Sequence, residues 1–228
     1  MPVLPDTRTP VKRTIDRSER RGARLVAAAL RGGRASANDA FDRFLPDELR
    51  LVSDRYWTPL SVVRRAAHWL REAQVRRVVD MGSGAGKFCV GAALLTRCEF
   101  IGVERRAPLV AAADDLAAVF GVDDRVRFVT AELDPITAPV ADAYYFFNPF
   151  GDYTFNSDAY DEPGMDFTPE DHRRGVAAVT ALLSRAAAGT FVITYNGFGG
   201  TMPSTYEQID VAQRQPGTLR LWKQRATP

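Results

Sequence analysis

The sequence predicts an α/β fold with a doubly wound, mostly parallel sheet, and three observations carry that prediction. From Arg77 onward, short apolar runs alternate with amphipathic stretches at helical spacing, the order that builds parallel strands joined by right-handed crossovers. The first run ends in Asp80-Met81 and leads directly into Gly82-Ser83-Gly84-Ala85-Gly86, with glycines at alternate positions. A second run, Phe100-Ile101-Gly102-Val103, ends in an acid, Glu104, eighteen residues after Gly86. An acid there is placed to accept from both hydroxyls of a ribose.

The elements follow in order from periodicity and punctuation. Ser18 is expected to cap a helix over 18–30, whose Leu25, Val26, Ala29 and Leu30 share a face and which Gly32-Gly33 stops. Two further short helices are expected over 37–44 and 46–52, so that 18–55 forms a helical cap or lid after a basic arm at 1–17. Thr58 and Pro59 read as N-cap and first residue of a helix over 60–74, with Val62, Val63, Ala66, Ala67 and Leu70 facing the sheet. Strands are then expected at 78–81, 99–103, 126–130, 143–147 and 191–195, with helices at 87–95, 108–120 and 169–187 between them. The end differs: 206–214 and 219–224 flank Pro216-Gly217 and read as an antiparallel hairpin.

Composition permits a globular enzyme. Apolar and charged fractions of 46% and 25% are those of a soluble domain. No apolar run approaches the roughly 20 residues of a membrane span. The first ten residues show no secretory pattern, so a cytoplasmic location is expected. Cys89 and Cys98 have no metal-like spacing to His68 or His172, which leaves buried thiols and no metal. The net charge of +2 conceals an asymmetry: residues 1–34 carry nine Arg or Lys against three acids, which leaves −4 for the rest. Such an arm either remains solvated or touches an anionic partner or the acidic part of its own chain. No aromatic residue precedes Phe41 to serve as a base-stacking platform.

The loop spacing discriminates among cofactors. A dinucleotide site uses G-x-G-x-x-G, whereas here the third glycine comes one residue early and Asp80 precedes the loop. A carboxylate there repels a pyrophosphate and suits a ligand bearing an ammonium group and no phosphate. That description fits S-adenosylmethionine. The pattern D-x-G-x-G-x-G followed by the strand-ending acid resembles the Rossmann-like class I S-adenosylmethionine-dependent methyltransferases, over residues 56–226. The resemblance implies an antiparallel final strand, agreeing with the hairpin. It also implies that Gly82 and Gly84 admit the methionine part, that Asp80 orders the loop or the ammonium, that Glu104 holds the ribose, and that Glu132 accepts from the adenine amino group. Ser83, Gly86 and Arg105 complete the expected set around the loop and the acid. Tyr56-Trp57-Thr58-Pro59 followed by Val62-Val63 resembles the Y-T-P-x-x-V-V segment of adenine amino-group methyltransferases, which places Tyr56 and Thr58 near the methionine end. The alternative is that Thr-Pro simply starts a helix.

Chemistry is expected at the end of the fourth strand, because open α/β sheets bind ligands outside the carboxyl ends of their strands. There the chain reads Asn148-Pro149-Phe150, similar to the N-P-P-Y/F motif of amino-group methyltransferases with one proline missing. By that resemblance the Asn148 side-chain oxygen and a backbone carbonyl of the Asn148-Pro149 segment accept the two amine hydrogens and Phe150 covers the substrate, so that orientation is the main catalytic task. From Pro149 through Asp171 there are seven acids, no Arg or Lys, and five aromatic residues. Such a loop either attracts a cationic acceptor, an amine or a protein lysine, or docks the basic arm. It disfavours nucleic acid. The core motif also resembles the non-SET histone lysine methyltransferases. An oxygen acceptor needs a base, for which Asp152, Tyr153 and His172 are the candidates, although His172 is expected on an exposed helix face. A nicotinamide-dependent oxidoreductase and a non-catalytic adaptor retaining the fold are the remaining alternatives.

Overall fold

The computed structural model of the chain describes residues 14–34, 37–132, 134, 136–150, 168–214 and 217–226. Seven strands, β1 (Arg77–Met81), β2 (Glu99–Glu104), β3 (Val126–Thr130), β4 (Ala143–Phe147), β5 (Phe191–Tyr195), β6 (Tyr206–Arg214) and β7 (Gly217–Gln224), form one sheet. Their order is β3-β2-β1-β4-β5-β7-β6. The first five run parallel, and β7 pairs antiparallel with both β5 and β6. The expected doubly wound sheet with a reversed final hairpin is therefore what the chain forms.

Side chains alternate across a strand, and this divides the core. Val78, Phe100, Ala143 and Tyr145 face a layer made by α5 (Leu60–Glu72), α6 (Lys87–Ala93) and α7 (Ala107–Phe120). Val79, Met81, Ile101 and Phe146 face the opposite layer, where α8 (Pro169–Arg185) contributes Val179, Leu182 and Leu183. Before α5 lie α1 (Arg17–Arg31), α2 (Ala37–Asp42), α3 (Asp47–Leu51) and α4 (Ser53–Tyr56). Their Leu30, Phe41 and Leu49 join the first core, and Phe41 stacks on Phe120 of α7 with ring centroids 4.5 Å apart.

Several local expectations are corrected. Asp16, not Ser18, caps α1: its carboxylate accepts from the Glu19 amide at 2.8 Å, and the Ser18 hydroxyl donates to it at 2.7 Å. A charged acceptor also gains from the helix dipole, which a hydroxyl does not. Thr58 does not cap α5. Its hydroxyl lies 2.9 Å from the Tyr145 hydroxyl on β4, and the Leu60 amide donates instead to Asn38 Oδ1 of α2 at 3.2 Å. A tertiary partner thus replaces the local cap. The two helices expected over 37–44 and 46–52 are three, because the chain turns between Leu51 and Ser53 and seats Trp57, whose Nε1 donates to the Leu49 carbonyl at 3.0 Å. The arm at 1–13, the acidic segment 151–167 with Asp152 and Tyr153, and Pro216 lie outside the described residues.

Candidate functional site

The glycine loop leaves β1 at the carboxyl edge of the sheet. Its first two amides, Gly82 and Ser83, both donate to the Val103 carbonyl at 2.9 and 3.0 Å, which clamps the loop to the end of β2. Gly84 has a φ of 52° and its amide donates to Glu104 Oε2 at 3.1 Å. The other oxygen of Glu104 accepts from the Arg106 amide at 3.0 Å. The strand-ending acid, only 7% exposed, is therefore held in one orientation by the backbone of the loop it faces. A Cβ on Gly84 would collide with the Trp57 ring, and one on Gly82 would lie 3.1 Å from Pro149 Cβ. These two glycines let the segment before α5 and the turn after β4 close onto the loop, a packing demand that spacing alone did not reveal.

Asp80 sits beneath this loop on the α6 side of β1. It is fully buried, and Cys89 donates its thiol to Oδ2 at 3.4 Å. Burial pushes the Asp80 carboxyl up to about 7; the Cys89 hydrogen bond opposes that rise and the Glu104 charge adds to it. Tyr145 completes the buried cluster: its ring stacks on Phe88 at 3.5 Å between centroids, and burial raises its phenol far above the ordinary range.

The remaining expected residues converge on the same edge. Tyr56 is half-buried at the end of α4, with Arg55 over its ring at 5.1 Å. Glu132 is exposed just past β3, where the Ala131 amide donates to the Glu104 carbonyl at 3.0 Å. Arg105, half-buried after Glu104, is near enough to Asp171 at the start of α8 to favour its ionised form, although the Thr168 hydrogen bonds do more to hold that carboxyl low. After β4, Asn148 adopts a φ of 38°, a left-handed conformation rare outside glycine. Its amide donates to the Gly197 carbonyl at 3.0 Å, and among the described residues its half-buried side chain makes no hydrogen bond. Phe150, 7% exposed, packs its ring against Gly175 of α8 and edge-on to His172 at 6.1 Å.

Two features escaped the sequence reading, and a third, a named candidate base, stands in a different setting from the one expected. Lys87, the first residue of α6, is 2% exposed, and its Nζ lies 2.7 and 2.9 Å from the two oxygens of Asp42 and 2.9 Å from Ser53 Oγ. Burial depresses the Lys87 pKa, and Asp42 opposes that shift. The only sequence signal was a lysine directly after the last loop glycine, and its partners stand 45 and 34 residues away. Gly102 is a second: a Cβ there would lie 2.6 Å from Ser83 Oγ and against Phe128. The third is His172, which is half-buried beside Phe150, with Nε2 3.2 Å from where a Gly199 Cβ would stand. It faces the loops after β4 and β5, not open solvent as expected.

This fold, with an acid-flanked glycine loop at the carboxyl edge of a 3-2-1-4-5-7-6 sheet, is the Rossmann-like fold of S-adenosylmethionine-dependent methyltransferases. Solved structures bear this out. An RNA methyltransferase from Salinibacter ruber in complex with S-adenosyl-L-homocysteine superposes with a TM-score of 0.52 at 21% identity, over 75% of this chain and 95% of that one. TrmN from Thermus thermophilus gives 0.55 at 15% identity over 82% and 53% of the two chains. An O-methyltransferase family protein from Burkholderia thailandensis gives 0.54 at 13% identity over 88% and 63%. No protein-family model matches the sequence, and no curated protein matches it significantly. Among the described residues no helix is long and apolar enough to cross a membrane.

Proposed function

We propose that this chain is an S-adenosylmethionine-dependent methyltransferase that delivers its methyl group to an amine-type nitrogen of a small molecule or a protein lysine. The observation that carries the reading is the buried acid pair, Asp80 and Glu104, on either side of a glycine loop that the Asn148-Pro149 turn closes onto through Gly82. The residues fit the cofactor. Ser83 Oγ is a buried hydroxyl with no partner among the described residues, an arrangement that calls for a ligand or water. Asp80, held near neutrality by burial, gains its charge readily when a cation approaches. A dinucleotide's pyrophosphate finds no such welcome beside two carboxylates.

Each residue then has a task. Glu104, oriented by Gly84 and Arg106, keeps acceptor lone pairs for ribose hydroxyls. Asp80 places negative charge under the ammonium of the methionine part. Glu132 and Tyr56 flank the two ends of the cofactor, and Thr58 tethers the Tyr56 segment to β4 through Tyr145. The bound sulfonium supplies a methyl group that is already electrophilic. What the chain must add is orientation, and Asn148 Oδ1 accepts from the amine so that the nitrogen lone pair faces the methyl carbon.

One observation favours a second reading, transfer to oxygen: His172 faces the turn after β4 and is placed as a base for a hydroxyl. The first experiment is calorimetric titration with S-adenosylhomocysteine, with Glu104→Ala as control and a dinucleotide as competitor. Micromolar binding that the variant loses supports the cofactor assignment, and absence of binding overturns it. Labelled methyl transfer to amines and to phenols, each repeated with His172→Ala, then separates the acceptors: nitrogen transfer survives the substitution and oxygen transfer does not.

A further inference from the structure

Two adjoining grooves lie away from the glycine loop, the larger at the opposite, amino edge of the sheet and the smaller along α5. The larger, about 1100 Å³, runs along the starts of β1 and β2, and the smaller, about 390 Å³, continues beside α5; Arg31, Arg71 and Leu95 line both. Eight arginines line the pair against two acids, Glu99 and Asp142. The acids are already engaged. Glu99 pairs with Arg77 at 3.2 Å, and Asp142 Oδ2 accepts from the amides of Arg76 and Arg77, each at 2.9 Å. Arg65 is paired with Asp210 at 2.7 Å. Setting aside Arg65 and Arg77, six guanidiniums have no carboxylate within salt-bridge distance among the described residues.

Four of these six donate to carbonyls, Arg214 to that of its neighbour Gln213 at 2.7 Å and the other three to carbonyls more distant in the chain. Arg31 Nε donates to Leu94 at 3.1 Å, one terminal nitrogen of Arg64 donates to Gly33 at 3.1 Å, and one of Arg71 donates to Leu95 at 3.0 Å. A carbonyl bond immobilises a guanidinium without neutralising it, and the remaining N–H donors stay free for an anion. A continuous row of pre-positioned, uncompensated guanidiniums suits repeated phosphates. The recessed shape suits a strand better than a bilayer surface. No Phe, Tyr or Trp lines either groove, and His68 in the smaller one pairs with Glu72 at 3.2 Å, so no large aromatic face is offered for base stacking. We infer that this edge docks the phosphate backbone of a nucleic acid without reading its sequence. That reverses the expectation, drawn from the acidic residues between Asp152 and Asp171, that nucleic acid is disfavoured. The inference does not depend on the methyl-transfer reading.

The test is fluorescence anisotropy of the full chain, without cofactor, with labelled single-stranded RNA of roughly 20 nucleotides between about 50 and 200 mM salt. Mixed-sequence and homopolymer strands are expected to bind alike, with log K falling linearly in log salt. The triple variant Arg31→Gln/Arg64→Gln/Arg71→Gln is expected to bind at least about tenfold more weakly at ~100 mM salt and to flatten the slope by about 2. If its melting curve shows misfolding, Arg76→Glu/Arg97→Glu decides the matter, since both side chains are exposed. No RNA binding at ~50 mM salt, a slope that neither variant alters, or binding to anionic vesicles but not RNA would each overturn the inference.

Discussion

At the scale of single residues, Asp80 has the clearest pH signature. A carboxyl raised to about 7 by burial holds its proton more tightly in the folded chain than in the unfolded one. Its contribution to stability therefore falls as pH rises from 3.8 to about 7, by at most about 4 kcal/mol. Asp80→Asn is expected to be more stable than the parent at pH 8 and to lose that advantage by about pH 4, as read from urea midpoints. In the parent, S-adenosylhomocysteine affinity should rise across the same window, because the ionised form pairs with the ammonium; a flat profile would remove Asp80 from the cofactor site. Asn148 separates strain from chemistry. Asn148→Gly relaxes a left-handed residue and should leave stability within about 0.5 kcal/mol. Methyl transfer should nonetheless drop by about 100-fold or more with cofactor affinity retained, since misorientation acts on turnover. Asp80, Glu104 and Asn148 were legible because each stands beside a strand end or a glycine. Trp57 against Gly84 was not, because sequence spacing carries no information on which side chain fills the space a glycine leaves.

At the scale of elements, the Lys87–Asp42 pair joins α2 to the first turn of α6, one residue beyond the glycine loop. Both groups are more than nine-tenths buried, so removing one strands the other. Lys87→Met is expected to cost roughly 3–5 kcal/mol. The double variant Lys87→Met/Asp42→Leu should recover much of that loss, and both are measured by chemical denaturation. Failure of the double variant to recover would show that Ser53 and Asn38, which also bond Asp42, depend on its charge. The hairpin is tied down similarly, with Asp210 accepting from Arg65 and from Trp69 Nε1 at 2.7 and 2.9 Å beside the irregularity between Gln208 and Asp210. Strand identities were legible from apolar runs. Caps were less so: Asp16 and Ser18 compete two residues apart, and Thr58 exchanged its local role for a bond to Tyr145.

At the scale of the whole molecule, the two edges of the sheet carry opposite chemistry. The carboxyl edge gathers buried acids around the glycine loop, and the amino edge gathers uncompensated arginines. A ligand specific to the native carboxyl edge stabilises the entire fold by mass action, by about 2.7 kcal/mol at a hundredfold excess over Kd. For a chain of this size that amounts to a melting-temperature rise of about 5–10 °C with S-adenosylhomocysteine. A dinucleotide at equal concentration should leave the melting temperature unchanged, and a rise with it would favour the oxidoreductase alternative.

The sequence by itself determined the strands, the mostly parallel character of their sheet, the reversed hairpin, and the acids that bracket the glycine loop. These features rest on period-two and helical apolar patterning and on glycines at turns, which are local and survive without a partner. The tertiary structure alone decided what those features touch. It placed Trp57 and Pro149 on the loop glycines, turned His172 toward the β4 end, buried Lys87 on Asp42, and brought Arg31 of α1 beside Arg64 and Arg71 of α5. Each of these depends on residues distant in the chain meeting in space, and on burial that raises the energy of an unpaired charge, so no stretch of sequence records it.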